Sequence, residues 1–309
     1  MKGLELSRGY YEDIVRPAIA EKFGEKIIER MAFGLVGDGS ECYGFDDEIS
    51  QDHDFGPRVQ IWLTREDFEE FGRPLQSFME TVTKNYKGYT GVNMSDYGDG
   101  REGVFTIGGF YARFIGLDRT PATIQEWRMI PEVNLSIATN GEVFSDELGR
   151  FTKFRKILQR QYPEELRLKK MAARCMTMAQ SGQYNYTRCM RRGEYVAAWM
   201  AASEFMKDAC SMVHLINHKY CPFYKWAHRS LKTLPILGEE VAMYMDGFIS
   251  ASEVRASAQI IEKISEVIIE QLKKEGLTSS NSDFLLDHGP ELQSRIKDDQ
   301  IRRLPLWAD

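Results

Sequence analysis

A change of texture near residue 150 constrains this chain more than any other feature. Before Gly149, short apolar runs at residues 32–36, 59–63 and 104–107 are separated by Gly, Asp and Ser. From Phe151 to Glu275 the chain becomes long, helix-compatible stretches rich in Ala, Met, Leu, Lys, Arg and Glu. Short apolar runs between turn formers favour strands, whereas apolar residues spaced three and four apart over long stretches favour amphipathic helices. The expected fold is therefore α+β. A mixed β-sheet domain over residues 1–150 would precede an α-helical bundle over residues 151–309.

Within the first part, residues 6–31 carry a helical pattern with Tyr10, Tyr11, Ile14, Val15, Ile19, Ile27, Ile28 and Met31 on its buried face. Thr64 opens another helix, and residues 85–103 are loop-like and long enough to be functional. Residues 134–139 and 142–144, joined by Asn140-Gly141, suggest a hairpin with a primed turn. In the second part, helix breaks are expected at Tyr162-Pro163, Ser181-Gly182, Cys221-Pro222 and Leu234-Pro235, because proline and glycine end helices. The last long helix covers residues 260–272, and the chain beyond Gly276 is polar and loop-like.

The chain has 309 residues and a formal net charge of −6, enough length for two domains but no global attraction to nucleic acid. Its cysteines, at 42, 175, 189, 210 and 221, form no Cys-x-x-Cys pair, which argues against a zinc knuckle or a redox dithiol. No segment is apolar enough for a membrane span, so a cytoplasmic location is expected.

The chemistry is concentrated in Gly37-Asp38-Gly39-Ser40-Glu41, then Asp52-His53-Asp54, then the apolar run at 59–63. A Gly-Ser turn offers backbone N–H groups and a hydroxyl to phosphate oxygens. On an extended segment Asp52 and Asp54 would point to one side, and two such carboxylates invite a divalent ion such as Mg²⁺. The ordinary alternative is an acidic surface loop.

This order of elements resembles the nucleotidyltransferase superfamily that includes DNA polymerase β and the kanamycin and lincosamide nucleotidyltransferases. The longer string at residues 39–59 is similar to a bacterial subgroup described only as a domain of unknown function. The resemblance implies a nucleotidyltransferase-type sheet domain. In it Asp52 and Asp54 would hold Mg²⁺, and Gly39 and Ser40 would cradle a nucleoside triphosphate, with ATP as the expected donor. A third carboxylate, usual in the superfamily, would be Glu102, with Asp96 and Asp99 as alternatives. The acceptor would be a small molecule attacking the α-phosphorus. Glu41, Asp46, Asp47 and Glu48 could attract a cationic acceptor, but holding their own loop is the preferred role. Tyr86, Tyr89, Tyr97, Phe110 and Tyr111 would suit either base stacking or a core.

In the helical half, Tyr184, Arg188 and Arg192 share a helix face and could grip phosphates, since guanidinium groups match phosphate oxygens; a solvated face is the alternative. Lys225, fixed among Pro222, Phe223, Tyr224 and Trp226, could contact a β- or γ-phosphate. His214 and His218 stand four apart but lack a third ligand, and the methionines at 171, 176, 178, 200, 206 and 212 suit core packing. A protein adenylyltransferase or antitoxin-like partner, and a silent nucleotide-binding module, are the alternative functions.

Overall fold

The computed structural model describes residues 1–51, 54–90, 100–251 and 253–308. It has a mixed four-stranded sheet in the N-terminal part followed by a largely helical region. The chain divides into two compact units. The first holds residues 1–122 and 134–160, and the second holds residues 123–133 and 161–309.

The strands are β1 (Ala32–Leu35), β2 (Gln60–Leu63), β3 (Asn85–Tyr86), β4 (Tyr89–Thr90), β5 (Gly103–Thr106) and β6 (Glu142–Asp146). β3 and β4 form a small separate ladder, and the main sheet runs β5-β2-β1-β6. β1 is antiparallel to both β2 and β6, while β2 and β5 are parallel, with Gln60 opposite Gly103 and Leu63 opposite Thr106. Both β1 and β2 are buried along their whole length, which explains why they appear in the sequence as continuous rather than alternating apolar runs.

The N-terminal helical segment packs on this sheet. Its Leu6, Val15 and Ile19 join Phe33, Ile61 and Leu63 in one apolar cluster. It is not one straight helix: a π-helical stretch covers Tyr11–Val15, and Gly24 interrupts the chain before the turn Glu25–Ile28. Tyr10, Tyr11, Val15, Ile19, Ile28 and Met31 are buried, as their spacing predicts, while Ile14 and Ile27 are only partly buried against the same cluster.

Another aromatic layer lies around Trp62. The Trp62 ring stacks on Phe151 with centroids 3.8 Å apart and meets Phe110 edge-on at 5.2 Å. Phe151 opens the helix Arg150–Gln159, whose start is fixed by the Asp146 carboxylate accepting from the N–H groups of Arg150 and Thr152 at 3.2 and 2.7 Å. Phe110 and Tyr111 are fully buried here, which removes both as base-stacking candidates. Tyr86 is also buried, Tyr89 packs on Phe55, and Tyr97 lies outside the described residues.

The expected hairpin at 134–144 is corrected. Glu132–Thr139 is a helix, with Leu135 and Ala138 buried on its inner face. The partner of β6 is β1, far away in sequence, so β6 needs no local strand. The period-2 apolar signal at Val133, Leu135 and Ile137 was also compatible with a helix, and tertiary packing selected it.

In the second unit, the helices Glu164–Met178 and Tyr195–Ile216 pack together, and Val254–Lys274 extends the helix expected at 260–272. The predicted break at Ser181-Gly182 does not occur. The chain continues through the π-helical stretch Ala179–Tyr186, because Gly182 lies directly against the buried Phe205 ring, where a Cβ would collide with it. Here glycine permits a close approach instead of ending a helix. The region beyond Gly276 is also more ordered than expected, with short helices at Gly289–Ser294 and Asp299–Arg302. Leu285, Leu292, Ile296 and Ile301 are buried, and the fully buried Lys169 donates to the carbonyls of Pro305 and Leu306 at 2.8 and 3.0 Å. Met200 is exposed, unlike the buried Met171, Met176, Met178 and Met212.

Candidate functional site

The register of the sheet brings separate polar segments to one of its ends. The C-terminal end of β1 lies beside the N-terminal ends of β2 and β6, and β2 begins beside β5. Four segments therefore meet there: the glycine turn after β1, Asp54–Val59 before β2, Arg101-Glu102 before β5, and Asn140-Gly141 before β6.

Side chains tie these segments together. Gln60, buried on β2, accepts from the Val36 N–H at 2.8 Å and donates to the Arg101 carbonyl at 3.1 Å. Asn140 accepts from the Gly37 N–H at 2.9 Å and donates to the Gly37 carbonyl at 2.8 Å. Buried Arg155 in turn donates to the carbonyls of Asn140 and Gly141, at 2.6 and 3.1 Å. The glycine turn is thus held by long-range amide contacts.

Gly39 has φ +129°, and a Cβ there would lie 2.5 Å from the Glu41 carboxylate oxygens. The Glu41 carboxylate itself forms an ion pair with Arg58, both side chains being almost wholly buried. Burial, reinforced by the nearby Arg101, lowers the Arg58 pKa to about 10. Asp46 accepts from the Gly3 N–H at 2.8 Å, and Asp47 caps its own turn through Ser50. These acids hold local structure, the role preferred for them on sequence grounds.

Asp54 is buried and its carboxylate pairs with Arg101 at 3.1 Å, while its carbonyl accepts from Arg58 at 2.8 Å. Its φ of +56° is left-handed, so the extended geometry assumed for the Asp-x-Asp stretch fails at this residue. The strand begins only at Gln60, after Gly56 and Pro57. Asp52 and His53 lie outside the described residues, as do Asp96 and Asp99. Glu102 sits at the same end of the sheet, and its carboxylate pairs with Lys84. Among the described residues no group of three or more His, Cys, Asp or Glu could hold a metal ion. Asp54 alone, already compensated by Arg101, does not make a Mg²⁺ site, so any such site depends on Asp52.

The structure therefore gathers Gly39, Ser40, Asp54 and Glu102 at one end of the sheet. Tyr184, Arg188, Arg192 and Lys225 belong to the helical unit. Arg188 lies over the Tyr184 ring at 4.5 Å, with Tyr184 half exposed and Arg192 exposed. Lys225 is exposed in the first turn of the helix Tyr224–Leu231 and lies over Trp226 at 5.0 Å. His214 is buried and hydrogen-bonded to Cys210 and Ser230, a packed histidine.

Arg58, Gln60, Arg101 and Arg155 were not singled out in the sequence, and Asn140 only as a turn residue. Each acts across the sheet on a distant residue, and only the polar Gln60 inside an apolar run left a local trace. Two cavities were equally invisible. One of 470 Å³ lies at the other end of the sheet, beside Thr64, Thr106 and Arg150. A larger one lies in the helical unit and includes Glu132, Arg174 and Asp208.

Residues 127–227 match the model of a family described as a domain of unknown function, DUF4037. The match covers a minority of the chain. It includes Tyr184, Arg188, Arg192 and Lys225, and from the polar end of the sheet Asn140, Gly141 and Arg155, but not the Gly37–Ser40 turn, Asp54 or Glu102. No curated protein and no solved structure matches the chain. The comparisons give no link to the polymerase β-like superfamily. No helix among the described residues is long and apolar enough to cross a membrane.

Proposed function

We propose that the polar end of the sheet binds a nucleoside triphosphate and that the protein is a Mg²⁺-dependent nucleotidyltransferase of the polymerase β-like type, using ATP and a small-molecule acceptor. The observation that carries this reading is the convergence of the Gly37–Ser40 turn, Asp54 and Glu102 at one end of a mixed sheet. Gly39 and Ser40 would meet phosphate oxygens with backbone N–H groups and a hydroxyl. Arg101, paired with Asp54 at 3.1 Å, would offer its guanidinium to a phosphate oxygen. A metal at Asp52 and Asp54 would supply charge stabilisation at the transferred phosphoryl group. Arg58 and Glu41 keep the turn and the Asp54 segment in register, and Tyr184, Arg188, Arg192 and Lys225 are the cations and ring this proposal assigns to the helical unit. A protein acceptor is a variant of the same chemistry, and labelled ATP in lysate separates the two by whether protein bands become labelled.

A silent nucleotide-binding module is the second reading. It is favoured by the pairing of both described acids, Asp54 with Arg101 and Glu102 with Lys84.

The test is thermal stabilisation by each ribonucleoside triphosphate with Mg²⁺, in the wild type and in Asp52→Asn/Asp54→Asn, combined with pyrophosphate release. A ligand that binds only the folded state raises the melting temperature. A Mg²⁺-dependent shift lost in the double variant supports the site, and pyrophosphate release supports transfer. A shift without release under an acceptor panel selects the silent module. No shift with any nucleotide refutes both.

A further inference from the structure

The helical unit leaves an unusual amount of apolar surface in water. Val196, Trp199, Met200, Phe223, Tyr224 and Ile249 are between 48% and 77% exposed. They are not scattered. On the helix Tyr195–Ile216, Val196, Met200, Ser203 and Lys207 recur at spacings of four and three and therefore share a face. Ser203 and Lys207 line a groove of 730 Å³, and Phe223, Tyr224 and Ile249 line the same groove. Trp199 meets Phe248, the residue before Ile249, edge-on at 6.1 Å, which joins the strip to the helix Gly238–Ser250.

The size of the strip decides what it can be. An aromatic side chain carries about 150–250 Å² of surface, so at these exposures the six residues present on the order of 800 Å² to water. The largest apolar patch of an ordinary monomer is about 300–600 Å². One side of a standard stable protein interface is about 800 Å². The composition agrees, because interface cores are enriched in aromatic residues and Met and depleted in charge.

Charge and shape then select the occupant. The ionisable groups that line the groove are already met by the chain itself. Lys207 pairs with Glu204 at 2.8 Å, His228 and Lys232 reach Asp246 at 3.1 and 3.2 Å, and Arg174 lies 3.6 Å from Asp208. Glu132 accepts from the Ser211 hydroxyl at 2.7 Å and from the Cys221 N–H at 3.0 Å. A strip without net demand for charge suits an apolar protein surface and not a polyanion. The same face carries a ridge, Val196 and Met200, beside a groove walled in part by Met206, Ala227 and Met245. In a two-fold contact a patch faces itself, so the ridge of each copy can enter the groove of the other.

We propose that the chain forms a two-fold homodimer through this strip, with Val196 and Met200 of each copy seated in the groove of its partner. The contact lies within the helical unit and does not depend on the nucleotide chemistry proposed for the sheet.

The experiment is sedimentation velocity on the full chain at concentrations up to about 100 µM, in the wild type and three variants. Interfaces of this size dissociate with constants from about micromolar to picomolar, so the wild type should be a dimer by about 10 µM. Met200→Glu places an unpaired carboxylate in the contact twice, once per copy, and should weaken the dimer at least about hundredfold; Val196→Glu should do the same. Both side chains are exposed in the single chain, so these variants should keep the wild-type circular dichroism spectrum. Met243→Glu, at an exposed methionine of the helix Gly238–Ser250 that does not line the groove, should leave dissociation unchanged. A wild type still monomeric at about 100 µM would overturn the proposal, and binding of that monomer to phosphatidylcholine vesicles would give the strip to a membrane surface instead. A dimer as stable in Met200→Glu and Val196→Glu as in the wild type would overturn it too, because the contact would then lie elsewhere.

Discussion

The Glu41–Arg58 pair makes the most demanding prediction about how the glycine turn is held. Arg58 is 1% and Glu41 8% exposed at the side chain, so neither charge is compensated by water. Burial brings the guanidinium down to about 10, which still leaves it charged at neutral pH. Arg58→Met would strand the Glu41 carboxylate and remove the donor to the Asp54 carbonyl. Glu41→Leu would strand the guanidinium. Breaking a buried pair from either side costs about 3–5 kcal/mol, whereas replacing both partners by apolar groups of similar size is often neutral or better. Each single variant should therefore lose about 3 kcal/mol or more, and the double variant Glu41→Leu/Arg58→Met should recover most of it, with a coupling of at least about 2 kcal/mol. Urea unfolding at pH 7, with hydrogen exchange resolved by peptide to follow the sheet unit, measures all three. Raising the salt concentration should leave the coupling nearly unchanged, because a buried pair is weakly screened. Single variants costing less than about 1 kcal/mol, or effects that simply add, would refute the reasoning.

Two further outcomes are expected. Phe151→Ala, which removes the ring stacked on Trp62, should destabilise the sheet unit by about 3–5 kcal/mol, and a loss below about 1 kcal/mol in urea unfolding would contradict its place in that core. His214 donates from Nδ1 to the Cys210 carbonyl at 2.7 Å and leaves Nε2 to accept from Ser230 at 2.9 Å, and burial lowers its pKa from 6.5 to about 4. The unfolded chain takes up a proton first as pH falls, so this contribution to stability is complete above about pH 6.5 and is lost towards about pH 4, by about 3 kcal/mol. Glu132 and Asp208, whose carboxyls are raised by burial, act in the opposite sense. The informative quantity is therefore the difference between wild type and His214→Leu, which should shrink by that amount between pH 7.5 and pH 4. A pH-independent difference would refute the assignment.

The sequence determined those elements whose signals are local. β1 and β2 follow from short continuous apolar runs, and Thr64 caps its helix by accepting from the Asp67 N–H at 3.1 Å. The last long helix follows from its isoleucine stripe, and the α+β class follows from the change of texture near residue 150. Tertiary structure decided what local signals leave open. Glu132–Thr139 became a helix because β6 found β1 as its partner, and Gly182 stayed within a helical run because Phe205 needed its missing side chain. The helix beginning at Arg150 has the composition of the helical half, but Phe151 buries its ring against Trp62 of the sheet. The candidate site divides in the same way. Its glycine turn and acidic residues are visible as motifs, but Gln60, Arg101, Asn140 and Arg155 acquire their roles from strand register.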